Sequence, residues 1–129
     1  MRYFLKIEDC DEEGNPTDTA LPMIAEGEYS QGALVLNYLF DGAEYTLTVS
    51  ENCVLHDRLG DTQMSLCFRL GELTCGVIKS GGMNGNLNIL THELKIALSR
   101  NGCNVRLVFS DGASGGEKVF KNITAFSVK

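Results

Sequence analysis

The residues able to do chemistry in this chain are scattered, and few stand at a spacing that chemistry requires. Asp9-x-Asp11-x-Glu13-Gly14 imitates the start of a calcium loop, in which alternate oxygens converge on the ion and glycine makes the sharp turn. The imitation ends there. Ala20 stands where a bidentate glutamate is needed, Pro16 interrupts the middle, and the flanks read as strand and loop, so a solvated acidic loop is expected. Glu26 and Glu28, two apart, project from one strand face about 7 Å apart, a separation usable in acid–base work. Ala25, Gly27 and Tyr29 would then face inward, leaving both carboxylates in water. His56 and His92 are the only histidines, which rules out a multi-histidine metal site. No Cys-His spacing resembles a zinc module, although folding could bring a Cys-His pair together. There is no GxSxG nucleophile elbow. Gly112 to Lys118 is glycine-rich but lacks the GK[ST] ending of a phosphate cradle and reads as a hairpin loop. The sequence therefore predicts no catalytic residue, no metal site and no cofactor.

The five cysteines, Cys10, Cys53, Cys67, Cys75 and Cys103, are odd in number, widely spaced and without a CxxC pair, a pattern of reduced thiols. Four of them lie in strand-like runs, and packing as small hydrophobes, not redox or metal chemistry, is the expected role of each, with Cys67, Cys75 and Cys103 expected to react slowly with a thiol reagent in the native protein. Seventeen acidic against eleven basic residues give a net charge of -6, which repels nucleic-acid phosphates and anionic membranes. Lys6 and Glu8 break the apolar run near the start, so it cannot act as a secretory signal, and no stretch approaches the roughly 20 apolar residues of a membrane span. The expectation is a cytoplasmic protein with neither nucleic-acid nor membrane partners. The sequon Asn122-Ile123-Thr124 then has no consequence.

The elements that must position these residues are strands. Tyr45, Leu47 and Val49 alternate with Glu44, Thr46 and Thr48, and Leu94, Ile96 and Leu98 with Lys95, Ala97 and Ser99. Met64, Leu66, Phe68 and Leu70 share one face, as do Cys103, Val105, Leu107 and Phe109. Further strands are expected at 2–8, 23–30, 33–40, 53–59, 73–79, 86–91 and 118–128. Turn pairs such as Gln31-Gly32, Asp41-Gly42 and Asn101-Gly102 separate them. Only 9–20 and 81–86 read as longer loops. A single domain over 1–129, all-β, of eight to ten strands in up-and-down (meander) order follows. Closing that meander into an antiparallel barrel removes its two bare edges. Gly27, Gly76 and Gly85 are candidate bends.

The order Ala25-Glu26-Gly27-Glu28-Tyr29, Arg58-x-Gly60, Phe68-x-x-Gly71 and Gly85-x-Leu87-x-Ile89-x-Thr91-x-x-Leu94 resembles the YwiB-like family of uncharacterised bacterial proteins. The resemblance implies a calycin-like (lipocalin-like) β-barrel and supplies no activity. Apolarity alone sends Arg58 outward, whereas the family's Arg-x-Gly element implies an inward Arg58. An inward arginine needs acceptors or an anionic ligand group. Tyr38 is its expected neighbour, and a strand-end carbonyl or Glu28 its expected internal partner. Leu66, Phe68, Leu94, Ile96, Leu107 and Phe109 are expected to line the lumen. Two readings stay open: a barrel holding a small amphipathic or anionic ligand, and a non-catalytic homodimer with a filled barrel. Residues 33–40 bear on the second. Ala33, Val35 and Leu39 form one apolar face and Leu34, Leu36, Tyr38 and Phe40 the other, so the outer face calls for a cover, either a partner chain or the N-terminal segment.

Overall fold

The computed structural model of the chain describes residues 1–18, 20–112 and 116–128. Ten strands follow one another: β1 (Arg2–Asp9), β2 (Met23–Ser30), β3 (Ala33–Phe40), β4 (Ala43–Ser50), β5 (Val54–Leu59), β6 (Thr62–Phe68), β7 (Leu73–Ser80), β8 (Met83–Ser99), β9 (Gly102–Asp111) and β10 (Val119–Ser127). Each pairs antiparallel with its sequence neighbour, and β1 pairs with β10 through Tyr3↔Ser127 to Asp9↔Lys121, closing the barrel. No helix among the described residues is long and apolar enough to cross a membrane.

Sequence explains the hairpins directly. Gln31 and Asp41 take positive φ, each followed by a glycine that does the same, the geometry of a two-residue turn whose twist matches its strands. Gly81 and Gly82 repeat it. This corrects the reading of 81–86 as a loop: the turn takes two residues, and β8 begins at Met83. The strands expected at 86–91 and 94–98 are likewise one. Thr91 pairs with Phe109 and Glu93 with Val108, so His92 is the extra residue of a β-bulge that carries the strand through without a turn.

Alternation settles which side chains enter the lumen. The pairs Leu34↔Val49, Val49↔Val54 and Val54↔Phe68 place four buried residues around one end, the end holding the turns after β2, β4, β6 and β8. Tyr3 plugs that end. Its hydroxyl donates to the Arg100 carbonyl at 2.8 Å, and its ring lies over Gly27, where a Cβ would stand 2.6 Å from the ring and 2.8 Å from Leu36. The core continues through Leu5, Leu36, Leu47 and Val105. It thins toward the opposite end, where the lumen-facing positions turn polar.

The long loop between β1 and β2 leaves the barrel at that polar end. Its first half folds over β9 and β10. Arg106 Nη2 donates to the Glu12 carbonyl at 3.1 Å, Asn122 Nδ2 to the Gly14 carbonyl at 3.4 Å, and Cys10 bridges to Pro16. Asp9, Asp11 and Glu13 do not converge on a common point: Asp9 pairs with Lys121 at 3.1 Å, and the Asp11 carboxylate accepts from the Asn15 amide at 2.9 Å. Among the described residues, no group of three or more His, Cys, Asp or Glu is placed to hold a metal ion.

Candidate functional site

The registers Tyr38↔Tyr45, Tyr45↔Arg58 and Leu47↔His56 bring Tyr38, Tyr45, His56 and Arg58 to the polar mouth on three adjacent strands. The Tyr38 and Tyr45 rings stack, with centroids 5.1 Å apart and planes 5° from parallel, and His56 lies 5.5 Å from Tyr45. The Tyr38 hydroxyl and His56 Nε2 share a hydrogen bond of 2.7 Å. Arg58 Nε donates to the Tyr45 hydroxyl at 3.1 Å and Nη1 to the Thr62 carbonyl at 2.8 Å.

Electrostatics keeps the tyrosine–histidine pair uncharged. Burial, aided by the ammonium of Lys121, pushes His56 down to about 4, with Asp57 opposing weakly. Burial, with Tyr45 as a lesser cause, raises Tyr38 well above the ordinary phenol range. The positive charge of the mouth therefore rests on Arg58 and Lys121. Lys121 has Asp9 as a counter-ion. Arg58 forms no ion pair with a carboxylate among the described residues. It is half-buried and held by neutral acceptors.

Against this pair lies a cavity of about 480 Å³, walled by Ile7, Phe40 and the segment Ala20 to Met23 on its apolar side and by Tyr38, Tyr45 and His56 on its polar side. A cavity of that size and mixed lining suits one small molecule. Tyr45 links the two parts: its ring lines the cavity and its hydroxyl accepts the hydrogen bond from Arg58 Nε.

Arg58 thus points inward, but its hydroxyl partner is Tyr45, and Tyr38 bonds His56 instead. Glu28 is exposed on the outer face of β2 and cannot partner Arg58 inside, because Gly27 and Tyr29 occupy the inward positions. Glu26 is exposed as well and meets Arg2 at 3.3 Å. The six expected lumen residues do point inward. Phe68 and Leu107 are buried in the core, Leu66, Leu94, Ile96 and Phe109 pack against it, and none walls the 480 Å³ cavity. They fill the barrel where they stand.

Sequence reasoning missed Tyr45, His56, Lys121 and the segment 20–23. A signal was available for His56: Val54, His56 and Arg58 share one strand face, so an inward Arg58 requires an inward His56. Residues 20–23 gave none, since a loop's path over a barrel mouth is not periodic.

The thiols divide. Cys103 is buried, and its thiol is pushed up to about 11 by that burial, whereas Cys75 is exposed on β7, which corrects its reading as a packing residue. Its strand is in the expected place, but its side chain takes the outward alternate to Gly76. Residues 113–115 of the glycine-rich stretch lie outside the described residues. On the outside of β3, Leu39 is 72% exposed, and the N-terminal segment does not cover it, because β1 is itself a stave of the barrel.

No family model and no curated protein matches the chain. Among solved structures, the crystal structure of ywiB protein from Bacillus subtilis is similar over 99% of this chain and 91% of that one, with a TM-score of 0.76 and 20% sequence identity. The closed antiparallel meander is therefore the fold this chain shares with the ywiB protein.

Proposed function

We propose that the protein binds a small amphipathic, anionic molecule at the polar mouth of the barrel, without transforming it, in the cytoplasm. The observation that carries this reading is an apolar cavity whose polar wall is a neutral Tyr38–His56 pair flanked by a half-buried arginine with no carboxylate partner. The apolar part of the ligand would rest against Ile7, Phe40 and Leu21, and its polar end would meet the Tyr38 and Tyr45 hydroxyls. Arg58 and Lys121 supply the attraction for negative charge. Because the half-buried charge of Arg58 is met by neutral acceptors alone, an anionic group arriving at the mouth gains a charge-assisted interaction. A neutral His56 favours the same ligand class less by charge than by leaving a hydrogen-bonding edge in the polar wall it shares with Tyr38 and Tyr45.

Native mass spectrometry of the freshly purified protein, followed by titration with decanoate as a medium-chain carboxylate probe, tests this. The expected result is a bound small molecule or saturable decanoate binding that weakens at least about tenfold in Arg58→Met, a loss of the size expected for a charged hydrogen bond. Undiminished binding in Arg58→Met, or no binding by the wild type, would sink the assignment.

A second reading, a homodimer through β3, is favoured by one observation: Leu39 and Leu59 flank Glu44 on the outer face and are 72% and 56% exposed. An apolar pair of this kind is a natural contact for a second copy. Sedimentation at micromolar concentration is expected to give a dimer that Leu39→Glu converts to a monomer. A monomer in both removes this reading.

A further inference from the structure

On the outer face, at the end of the barrel opposite the mouth, two cysteine sulfurs lie side by side. Cys53 ends the turn before β5 and is nearly buried, and its carbonyl accepts both the Ser50 amide at 2.9 Å and the Ser50 hydroxyl at 3.2 Å, which holds the turn in place. Cys67, on β6 opposite Leu55, is half-exposed. Their Sγ atoms are 3.8 Å apart. The exposed guanidinium of Arg69 lies beside the pair and acts electrostatically on both sulfurs. Two thiols in contact, one accessible and one sheltered, with a cation beside them, are the parts of a dithiol redox pair.

We propose that Cys53 and Cys67 form a reversible disulfide site that reacts with small-molecule disulfides. The Cys67 thiol loses its proton to solvent and its thiolate, with the Arg69 guanidinium nearby, attacks one sulfur of RSSR; the new Cys67–SR bond forms as the RS–SR bond breaks, and RS⁻ leaves and takes up a proton. The Cys53 thiol then loses its proton to solvent, and its thiolate attacks the Cys67 sulfur, forming the Cys53–Cys67 bond and expelling the second RS⁻. Two protein thiols lose two electrons and two protons, and one RSSR becomes two RSH. The sulfurs need to close from 3.8 Å to the roughly 2.05 Å of the bond, a side-chain movement at a turn residue. A soft metal ion is the less suited occupant. Arg69 opposes a second cation at the sulfurs, and the described residues supply no third ligand. The product staples the start of β5 to the end of β6, where the closed end of the barrel carries its core.

The test uses oxidised glutathione on the full chain in a Cys75→Ser background, which removes the exposed competing thiol. The expected product has lost two hydrogens, yields a peptide joining positions 53 and 67, melts at higher temperature than the reduced form, and returns to it with dithiothreitol. Adding Cys53→Ser is expected to arrest the reaction at a stable glutathione adduct on Cys67. Arg69→Gln is expected to slow adduct formation about tenfold with no change in the final product. A persistent glutathione adduct on Cys67 while Cys53 is present, or free thiols at both positions after prolonged exposure, would overturn the proposal. Cys67→Ser guards against a folding artefact: if its melting temperature matches that of the reduced parent and Cys53 forms a glutathione adduct as fast as Cys67 does in the Cys53→Ser variant, Cys67 is not the entry point.

Discussion

At the scale of single residues, His56 sets the acid response of the protein. Unfolded, its imidazole titrates near 6.5; folded, at about 4. Between those values the unfolded chain holds a proton that the folded chain does not, so acid favours unfolding. The contribution is complete above pH 6.5, is lost as pH falls toward 4, and levels off below. Its full size is about 3 kcal/mol. Urea midpoints measured from pH 4 to 7 are expected to show this slope in the wild type and a flatter one in His56→Gln. The thiols give a second residue-scale expectation: a thiol reagent labels Cys75 within the native state, whereas Cys103 reacts only on unfolding, because burial raises its thiol and shields it. Mass spectrometry after timed quenching separates the two, and rapid native labelling of Cys103 contradicts its burial. Arg58 shows how far residues could be read in advance. Its inward direction came only from the family resemblance, since Val54, His56 and Arg58 make a mixed face that apolarity alone turns outward. Its acceptor, Tyr45, depends on a register that no local pattern announces.

Elements were more legible, since each strand carries its own alternation and each turn its own punctuation. Gln31-Gly32 and Asp41-Gly42 announce hairpins because only such residues accept the required φ without strain. The reading failed where punctuation misled. Gly81-Gly82-Met83-Asn84-Gly85-Asn86 contains three glycines, but only the first two adopt the positive φ that turns the chain, and Gly85 pairs with Ile78 as ordinary strand. The bulge at His92 failed for the opposite reason: it shifts the alternation by one residue with neither glycine nor proline to mark it. Gly27 provides the element-scale test. A methyl group there would stand 2.6 Å from the Tyr3 ring, so Gly27→Ala must displace the plug of the closed end. A loss of about 1–3 kcal/mol is expected by chemical denaturation. Tyr3→Leu in the same chain should recover part of it, because the two changes meet at one contact.

For the molecule as a whole, the seam between β1 and β10 governs assembly, since it joins the first strand to the last. Apart from that seam every strand pairs with its sequence neighbour, and such hairpins form without long loop closure. The seam is the one pairing that must bring distant chain segments together, and it is expected to form late. During synthesis the consequence is specific. The nascent chain can build a growing curved sheet from β1 onward, but while β10 is still inside the ribosome, β1 presents Tyr3 to Asp9 with one side unpaired and the inner apolar faces stay open to solvent. Chains stalled after Asp111 are therefore expected to associate or to recruit chaperones, and chains in which β10 has emerged through Ser127 to fold cooperatively. Full acquisition of structure waits for the last nine-residue strand.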